Sequence, residues 1–145
     1  MKKKIVKAVI WPVALYAAET WTLRKEEIRR LDAFEMWLWR KMEKISWTEK
    51  KTNDEVLQIV EESRQIVDTV MERKKKWIGH VLRGDGLMKE VIEGRMLGKR
   101  TRGRKRIGML EELLQKEPYG AMKRRAEDRL KWKSWNPRTC QPAEH

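Results

Sequence analysis

The stretch EEIRRLDAFEMWLWRKMEKI, Glu26–Ile45, predicts an amphipathic helix with a broad apolar surface. Its apolar side chains recur at steps of three or four residues, which places them on one helical face; they are Ile28, Leu31, Phe34, Leu38, Met42 and Ile45. Met36, Trp37 and Trp39 widen the apolar surface beyond that face. We expect Trp37 and Trp39 to serve packing, and to be exposed where no partner covers them.

Capping and turn residues mark further helices along the chain. Thr22 predicts the N-cap of the first long helix, and Thr52 with Glu55 forms a capping-box pattern. An apolar seam then runs over residues 66–82 and stops at the turn signal Gly84-Asp85-Gly86. Shorter helical patterns cover residues 87–96, 107–117 and 119–132. The alternation typical of strands is scarce. We therefore predict an all-α protein, a small bundle of roughly four to six helices with a flexible basic connector.

The charge balance restricts the class of partner. The chain has 145 residues, with 35 Lys or Arg against 22 Asp or Glu, which gives a net charge of +13. This excess favours polyanions, namely RNA, DNA or an anionic membrane face. The hydrophobic fraction is 40%, which is too high for a typical disordered chain.

Cysteine and histidine are scarce, and this restricts the chemistry. Cys140 is the single cysteine, so no disulfide forms within one chain, as in a reducing compartment. With only His80 and His145 beside it, we expect neither a metal site nor a cofactor. The basic and apolar start resembles a signal peptide, but Lys7 and Pro12 interrupt it and it is too short to span a bilayer. We expect an intracellular protein without a membrane partner, nuclear or cytoplasmic, with the nucleus favoured.

The most basic stretch is GKRTRGRKR, Gly98–Arg106, which holds six basic residues and no acid. Two glycines let its backbone follow a curved strand, and its cations can reach phosphates; they are Lys99, Arg100, Arg102, Arg104, Lys105 and Arg106. Such contacts would position a nucleic acid without specifying its sequence. The alternative is a disordered, solvated loop or a nuclear import signal.

A second basic run interrupts the long seam, and it comprises Arg73, Lys74, Lys75 and Lys76. It would line a duplex backbone or form a solvated helix face. His80 follows Trp77 by three residues, so the two side chains share a face. We place Trp77 in the core because its seam is continuous, although an indole could also stack on a base. His80 either bonds a phosphate or sugar, or lies at the helix end, and no partner motif supports acid–base catalysis.

Several stretches together carry a family resemblance. LYAAETWTLRKEEIRRLDAFEMWLWRKMEKISWTEKKTNDEVL resembles the region just after the polymerase core of non-LTR (LINE-type) retrotransposon reverse transcriptases. ERKKKWIGHVLRGDGL and EGRMLGKRTRGRKRIGML resemble the two blocks that follow, and YGAMKRRAEDRLKWKSWNPRTCQPAEH is similar to the C-terminal end. The resemblance covers nearly the whole chain, with its blocks in order.

The resemblance implies three regions and a role for each. Residues 1–97 would be a thumb-like helical region, 98–106 the basic connector, and 107–145 a C-terminal helical extension. The parent enzyme nicks DNA and copies its RNA, and the thumb would hold the template–primer duplex against the palm. Polymerisation needs paired aspartates that hold the metal ions, and no Asp-Asp pair occurs in this chain. We therefore expect a fragment without catalysis that binds RNA or DNA through phosphates.

The chain departs from the family pattern at three places. Ala17 stands where the family has glycine, which puts a tight turn there in doubt, and Lys105 replaces a proline in the connector. Glu61 and Glu62 fall near a usual glycine, so we expect the flanking helices to fuse. Other interpretations stay open: a protein-interaction module with a Trp-rich face, a basic amphipathic protein at a membrane surface, or a retrotransposon relic without function.

Overall fold

The computed structural model describes residues 1–94, 108–114 and 117–136. Within these ranges the chain consists of helices and turns without any β-strand, so the all-α prediction is confirmed. The basic connector, residues 98–106, lies outside the described residues, as does Cys140. The helices are α1 (Lys2–Ile5), α2 (Trp11–Ala14), α3 (Lys25–Met42), α4 (Asn53–Val60), α5 (Ile66–Arg83), α6 (Leu87–Glu93), α7 (Glu111–Leu114), α8 (Tyr119–Glu127) and α9 (Arg129–Ser134).

Helices α1 and α2 and the turn between them form one continuous helical segment, residues 2–15, which we call the N-terminal rod. A π-helical turn, Val6–Ile10, joins α1 to α2 and lies just before Pro12. Proline lacks the N–H of a regular helical turn, so the helix adjusts its hydrogen bonding there. Short 3-10 turns lie at Ala18–Thr20 and at Trp47–Glu49.

Two hydrophobic clusters share α5. The first joins the N-terminal rod, α3, α4 and the first half of α5, and Leu15, Trp39 and Ile66 are among its fully buried members. The second joins the rest of α5 to α7, α8 and α9, with Ile78, Leu113 and Met122 at its centre. Because the C-terminal helices pack on α5, the predicted thumb-like region and the described part of the extension have a core helix in common.

Local signals explain several of the helix boundaries. The Thr52 capping box is confirmed: Thr52 Oγ1 accepts from the Glu55 N–H at 3.3 Å, and Glu55 Oε2 accepts from the Thr52 N–H at 2.6 Å. The predicted cap at Thr22 is wrong, because α3 begins at Lys25 and its N-cap is Arg24. α5 ends at Arg83, directly before the Gly84-Asp85-Gly86 turn, as predicted.

Three expectations about continuity are corrected. Glu61 has φ 54° and ends α4 in a left-handed conformation, so the helices on either side do not fuse. Ala17 has φ 55° and forms the tight turn although it is not glycine. The single helix expected over residues 119–132 is two helices, since the Asp128 carboxylate accepts from the Leu130 and Lys131 N–H groups and starts α9.

Trp37 and Trp39, which we expected to be exposed alike, lie in different environments. Trp39 is fully buried in the first cluster, whereas Trp37 is 46% exposed. The expectation of two exposed indoles is therefore wrong for Trp39. The N-terminal rod packs into the same cluster through Val6, Trp11 and Leu15, so residues of this chain bury Trp39 without a partner protein.

Candidate functional site

Part of the predicted basic run of α5, residues 73–76, is buried in the protein. Lys74 is fully buried, and its Nζ lies 2.6 Å from Glu112 Oε2 of α7. The other oxygen, Glu112 Oε1, accepts from the Leu23 N–H. A phosphate contact requires an exposed ammonium, and this one has no access to solvent. Lys74 thus links α5 to α7 and, through Glu112, to the chain before α3.

Its neighbours are also held by the protein. Lys75 Nζ donates to the carbonyls of Lys133 (3.2 Å) and Trp135, and burial lowers the pKa of Lys75. Arg73 Nη1 donates to the Leu15 carbonyl at 3.4 Å. Lys76 is exposed and forms an ion pair with Glu72 at 2.8 Å, one turn earlier on α5. Of the four cations, Lys76 therefore remains the most accessible to a phosphate.

Trp77 and His80 lie where sequence periodicity suggests. Trp77 is half-buried against the second cluster, in keeping with the core position predicted for it. His80 is exposed in the last turn of α5, and its backbone carbonyl accepts from the Gly84 N–H at 3.1 Å. Its role in binding a phosphate or sugar stays a prediction.

The C-terminal helices contribute an aromatic contact that the sequence did not reveal. Trp132 lies over Gly79 of α5, and its Nε1 donates to the Lys75 carbonyl at 3.1 Å. The ring of Trp135 lies 4.8 Å from that of Trp132, and the Arg125 guanidinium lies 4.9 Å from the Trp135 ring centroid. The only signal in the sequence was the glycine inside an otherwise helical pattern.

Four other exposed cations lie along α3. Lys25, Arg29, Arg30 and Lys41 are exposed, and none of them forms an ion pair with another described residue. We call these four residues the α3 basic face. At 1.5 Å per residue they extend along about 24 Å of helix. Glu26 is the exposed acid of α3, and it lies in the first turn, where the positive end of the helix dipole stabilises a carboxylate.

The connector cations cannot be compared with this arrangement. Lys99, Arg100, Arg102, Arg104, Lys105 and Arg106 all lie outside the described residues, so their role in phosphate binding stays a prediction. The cations of α3 are present in the sequence, but the sequence gives no reason to prefer them over the run in α5. The difference is tertiary, because the partner of Lys74 lies 38 residues away in the chain.

Comparison with known proteins leaves the family resemblance as a prediction. No protein-family model, curated protein or solved structure matches the chain. No helix in the described ranges is long and apolar enough to cross a membrane. Within the same ranges, no group of three or more His, Cys, Asp or Glu residues could hold a metal ion.

Proposed function

We propose that this chain binds RNA or DNA through the phosphate backbone, without reading base sequence. This is the role expected of the thumb and C-terminal extension of a LINE-type reverse transcriptase, which the chain resembles. The observation that carries the proposal is the α3 basic face, whose cations are exposed and have no ion-pair partner among the described residues. Cations that are not neutralised within the protein can replace the counterions of a nucleic acid.

Two further features support a polyanionic partner. The net charge of +13 raises the local concentration of polyanions around the chain. The connector Gly98–Arg106 adds six cations close together in the sequence. In this function the chain catalyses no step. Its contact with the duplex depends only on the charge of the phosphate backbone.

The test is a salt titration of binding to a fluorescently labelled RNA–DNA hybrid, read by anisotropy. The α3 variant changes Lys25, Arg29, Arg30 and Lys41 to Gln, and a connector variant changes its six cations to Gln. The matched control changes four exposed cations elsewhere to Gln, which removes the same charge; they are Lys2, Lys4, Arg124 and Arg129.

We expect the logarithm of affinity to fall linearly with the logarithm of salt concentration, with a slope of about 0.9 for each neutralised phosphate. The α3 variant should lose up to about 3.6 of that slope, if all four side chains contact phosphates, and the control should lose much less. Binding that is absent or independent of salt would contradict the proposal. Equal losses in the α3 variant and the control would mean that bulk charge, and not the α3 basic face, determines binding.

A protein partner is the second candidate, and a specific observation favours it. Ile5, Val9 and Val13 lie four residues apart on the N-terminal rod and are 55%, 58% and 76% exposed. Such a row of apolar side chains is typical of a helix that packs on another protein. Binding to a protein through this row should persist at high salt, whereas binding to nucleic acid should not.

A further inference from the structure

A groove with two indoles and three cations lies where α3 ends. It has a volume of about 360 Å³ and is lined by Trp37, Arg40, Lys41, Lys44, Ile45, Ser46 and Trp47. Trp47 is 80% exposed and Trp37 is 46% exposed, so both indoles present area to solvent. None of the described residues that line the groove is acidic. We call this feature the Trp37–Trp47 groove.

The backbone around the groove is fixed by regular capping interactions. At the end of α3 the Ile45 N–H donates to the Arg40 carbonyl at 2.9 Å, and the Lys44 N–H donates to the Lys41 carbonyl at 3.3 Å. Lys44 has φ 57°, so the chain leaves the helix through a left-handed residue in a Schellman arrangement. The turn that presents Trp47 is therefore tied to the last turn of α3.

The residue after that turn begins a second capped segment. Ser46 precedes the 3-10 turn Trp47–Glu49, and its N–H donates to Glu49 Oε1 at 3.0 Å. Glu49 also pairs with Lys51 at 2.9 Å, so its charge is neutralised within the loop. Trp47 is thus an exposed aromatic residue on a braced turn. Such preorganisation lowers the entropy lost when a ligand binds.

The indoles are further supported by their neighbours. The Phe34 ring stacks on Trp37 with centroids 6.1 Å apart and an interplanar angle of 24°. The Arg40 guanidinium lies 5.7 Å from the Trp47 ring centroid, while its Nη2 donates to the Lys51 carbonyl and to Asn53 Oδ1. Lys41 and Lys44 are exposed and form no ion pair with the described residues. The groove therefore combines fixed aromatic faces with free ammonium groups.

We propose that the Trp37–Trp47 groove binds a single-stranded segment of RNA or DNA by stacking a base on an indole while Lys41 and Lys44 contact its phosphates. Aromatic faces beside a positive groove are the usual means of binding single strands, because every base has a π-face. The volume is at the lower end of small-molecule pockets, roughly 300–1,000 Å³, which suits a nucleotide better than a protein helix. The inference rests on the proposed function and adds an unpaired strand beside the duplex contacted by the α3 basic face.

The test compares Trp47→Ala with the parent chain on labelled single-stranded 12-nucleotide DNA and on the RNA–DNA hybrid. Base–aromatic stacking predicts a loss of about 5- to 150-fold in affinity for the single strand. Affinity for the hybrid should change little. Trp47→Phe should restore most of the loss, and Tyr16→Ala, which removes an 82% exposed aromatic side chain elsewhere, should bind as the parent does.

An abasic strand of the same length separates stacking from charge. It keeps the phosphates and lacks the bases, so Trp47→Ala and the parent should bind it equally. A loss on the abasic strand as large as on the normal strand would overturn the stacking role. Lys41→Gln with Lys44→Gln should weaken binding to both strands and reduce the salt dependence by up to about 1.4, the single-strand slope for two phosphates.

The other outcomes also decide between the two proposals. If Trp47→Ala binds the single strand like the parent, the groove inference is wrong, and salt-dependent binding to the hybrid still supports the proposed function. If the parent binds neither nucleic acid, both proposals fail. If poly-glutamate binds the parent as tightly as the single strand and is weakened equally by Trp47→Ala, the groove is an acidic-peptide site instead.

Discussion

At the scale of single residues, Lys74 and Glu112 form a buried ion pair between α5 and α7. Lys74 is fully buried, and the side chain of Glu112 is 9% exposed. Removing one charge leaves the other in the interior without its partner, and this costs more than the pair itself contributes. The exposed pair Lys76–Glu72 on the same helix contributes little to stability, because water screens both charges.

We therefore predict that Lys74→Met lowers the free energy of unfolding by about 3–5 kcal/mol. Lys76→Met, the matched change two residues further along α5, should lower it by at most about 0.5 kcal/mol. Urea-induced unfolding followed by circular dichroism measures both. Equal effects of the two substitutions would show that the Lys74 ammonium is not buried in solution.

Gly79 is the second residue whose identity has a clear physical reason. A Cβ built on it would lie 2.1 Å from Trp132 Nε1 and 2.7 Å from two ring carbons. Gly79→Ala should therefore displace the ring, break its bond to the Lys75 carbonyl and lower the free energy of unfolding by about 1–3 kcal/mol. Thermal or urea unfolding provides the measurement.

Two controls separate the effect of the close contact between Gly79 and Trp132 from the effect of helix propensity. Gly120 lies in α8 with nothing within 4 Å of its added Cβ, so Gly120→Ala should stabilise the chain by up to about 1 kcal/mol. In a Trp132→Leu background, Gly79→Ala should lower the free energy of unfolding much less, because the indole ring is absent. If it remains equally damaging there, the contact with Trp132 is not the cause.

At the scale of elements, α5 receives its N-terminal cap from another helix. Its own N-cap, Gln65, makes no side-chain capping bond. Instead Glu35 of α3, which is fully buried, accepts from the Gln65 N–H at 3.1 Å and from the Ile66 N–H at 3.1 Å. Burial raises the pKa of Glu35, and these two N–H bonds oppose the rise.

The raised pKa predicts how stability depends on pH. The stability contributed by Glu35 is fully present below its unfolded pKa of 4.5 and is lost as pH rises through the folded pKa. Glu35→Gln keeps an acceptor oxygen but cannot ionise. The difference in unfolding free energy, variant minus parent, should therefore become more positive as pH rises above 4.5.

Urea unfolding at a series of pH values between about 4 and 7 measures that difference. Glu35→Ala is the control, because it removes the acceptor and should destabilise by about 1–3 kcal/mol even where the carboxyl is protonated. A difference between Glu35→Gln and the parent that becomes more negative with rising pH would contradict the raised pKa.

Elements with strong local signals could be predicted from the sequence, and the rest depended on distant contacts. The periodicity of Glu26–Ile45 gave α3, and the Thr52 box gave the start of α4, because helical spacing and capping act within a few residues. The break at Asp128 was missed because an apolar pattern continues through it, although aspartate is a good N-cap. The cap on α5 could not be found, since Glu35 lies 30 residues before Gln65.

The same distinction applies to the candidate site. Sequence reasoning identified basic runs, but it could not tell a cation paired inside the protein from one left at the surface. Lys74 and Lys75 bond to residues 38 to 60 positions away. The Trp37–Trp47 groove was missed because it requires the left-handed turn at Lys44, which brings Trp47 beside the end of α3.

At the scale of the whole molecule, the two hydrophobic clusters meet along α5. Ile66 and Val70 belong to the first cluster, while Met71 and Ile78 belong to the second. The Lys74–Glu112 pair adds a link, because Glu112 also accepts from the Leu23 N–H beside the first cluster. Neither cluster can unfold completely without disrupting the helix on which the other packs.

We therefore predict one cooperative unfolding transition for the whole chain. Leu15→Ala in the first cluster and Met122→Ala in the second remove side chains that are 0% and 1% exposed, and each should lower the free energy of unfolding by about 2–5 kcal/mol. Each should shift the entire transition, with circular dichroism and tryptophan fluorescence remaining coincident. Two transitions, of which Met122→Ala moves only one, would mean that α5 does not couple the clusters. In that case the α3 basic face and the Trp37–Trp47 groove, which both lie on the first cluster's helices, should keep their nucleic-acid binding in the Met122→Ala variant under conditions where the second cluster is unfolded.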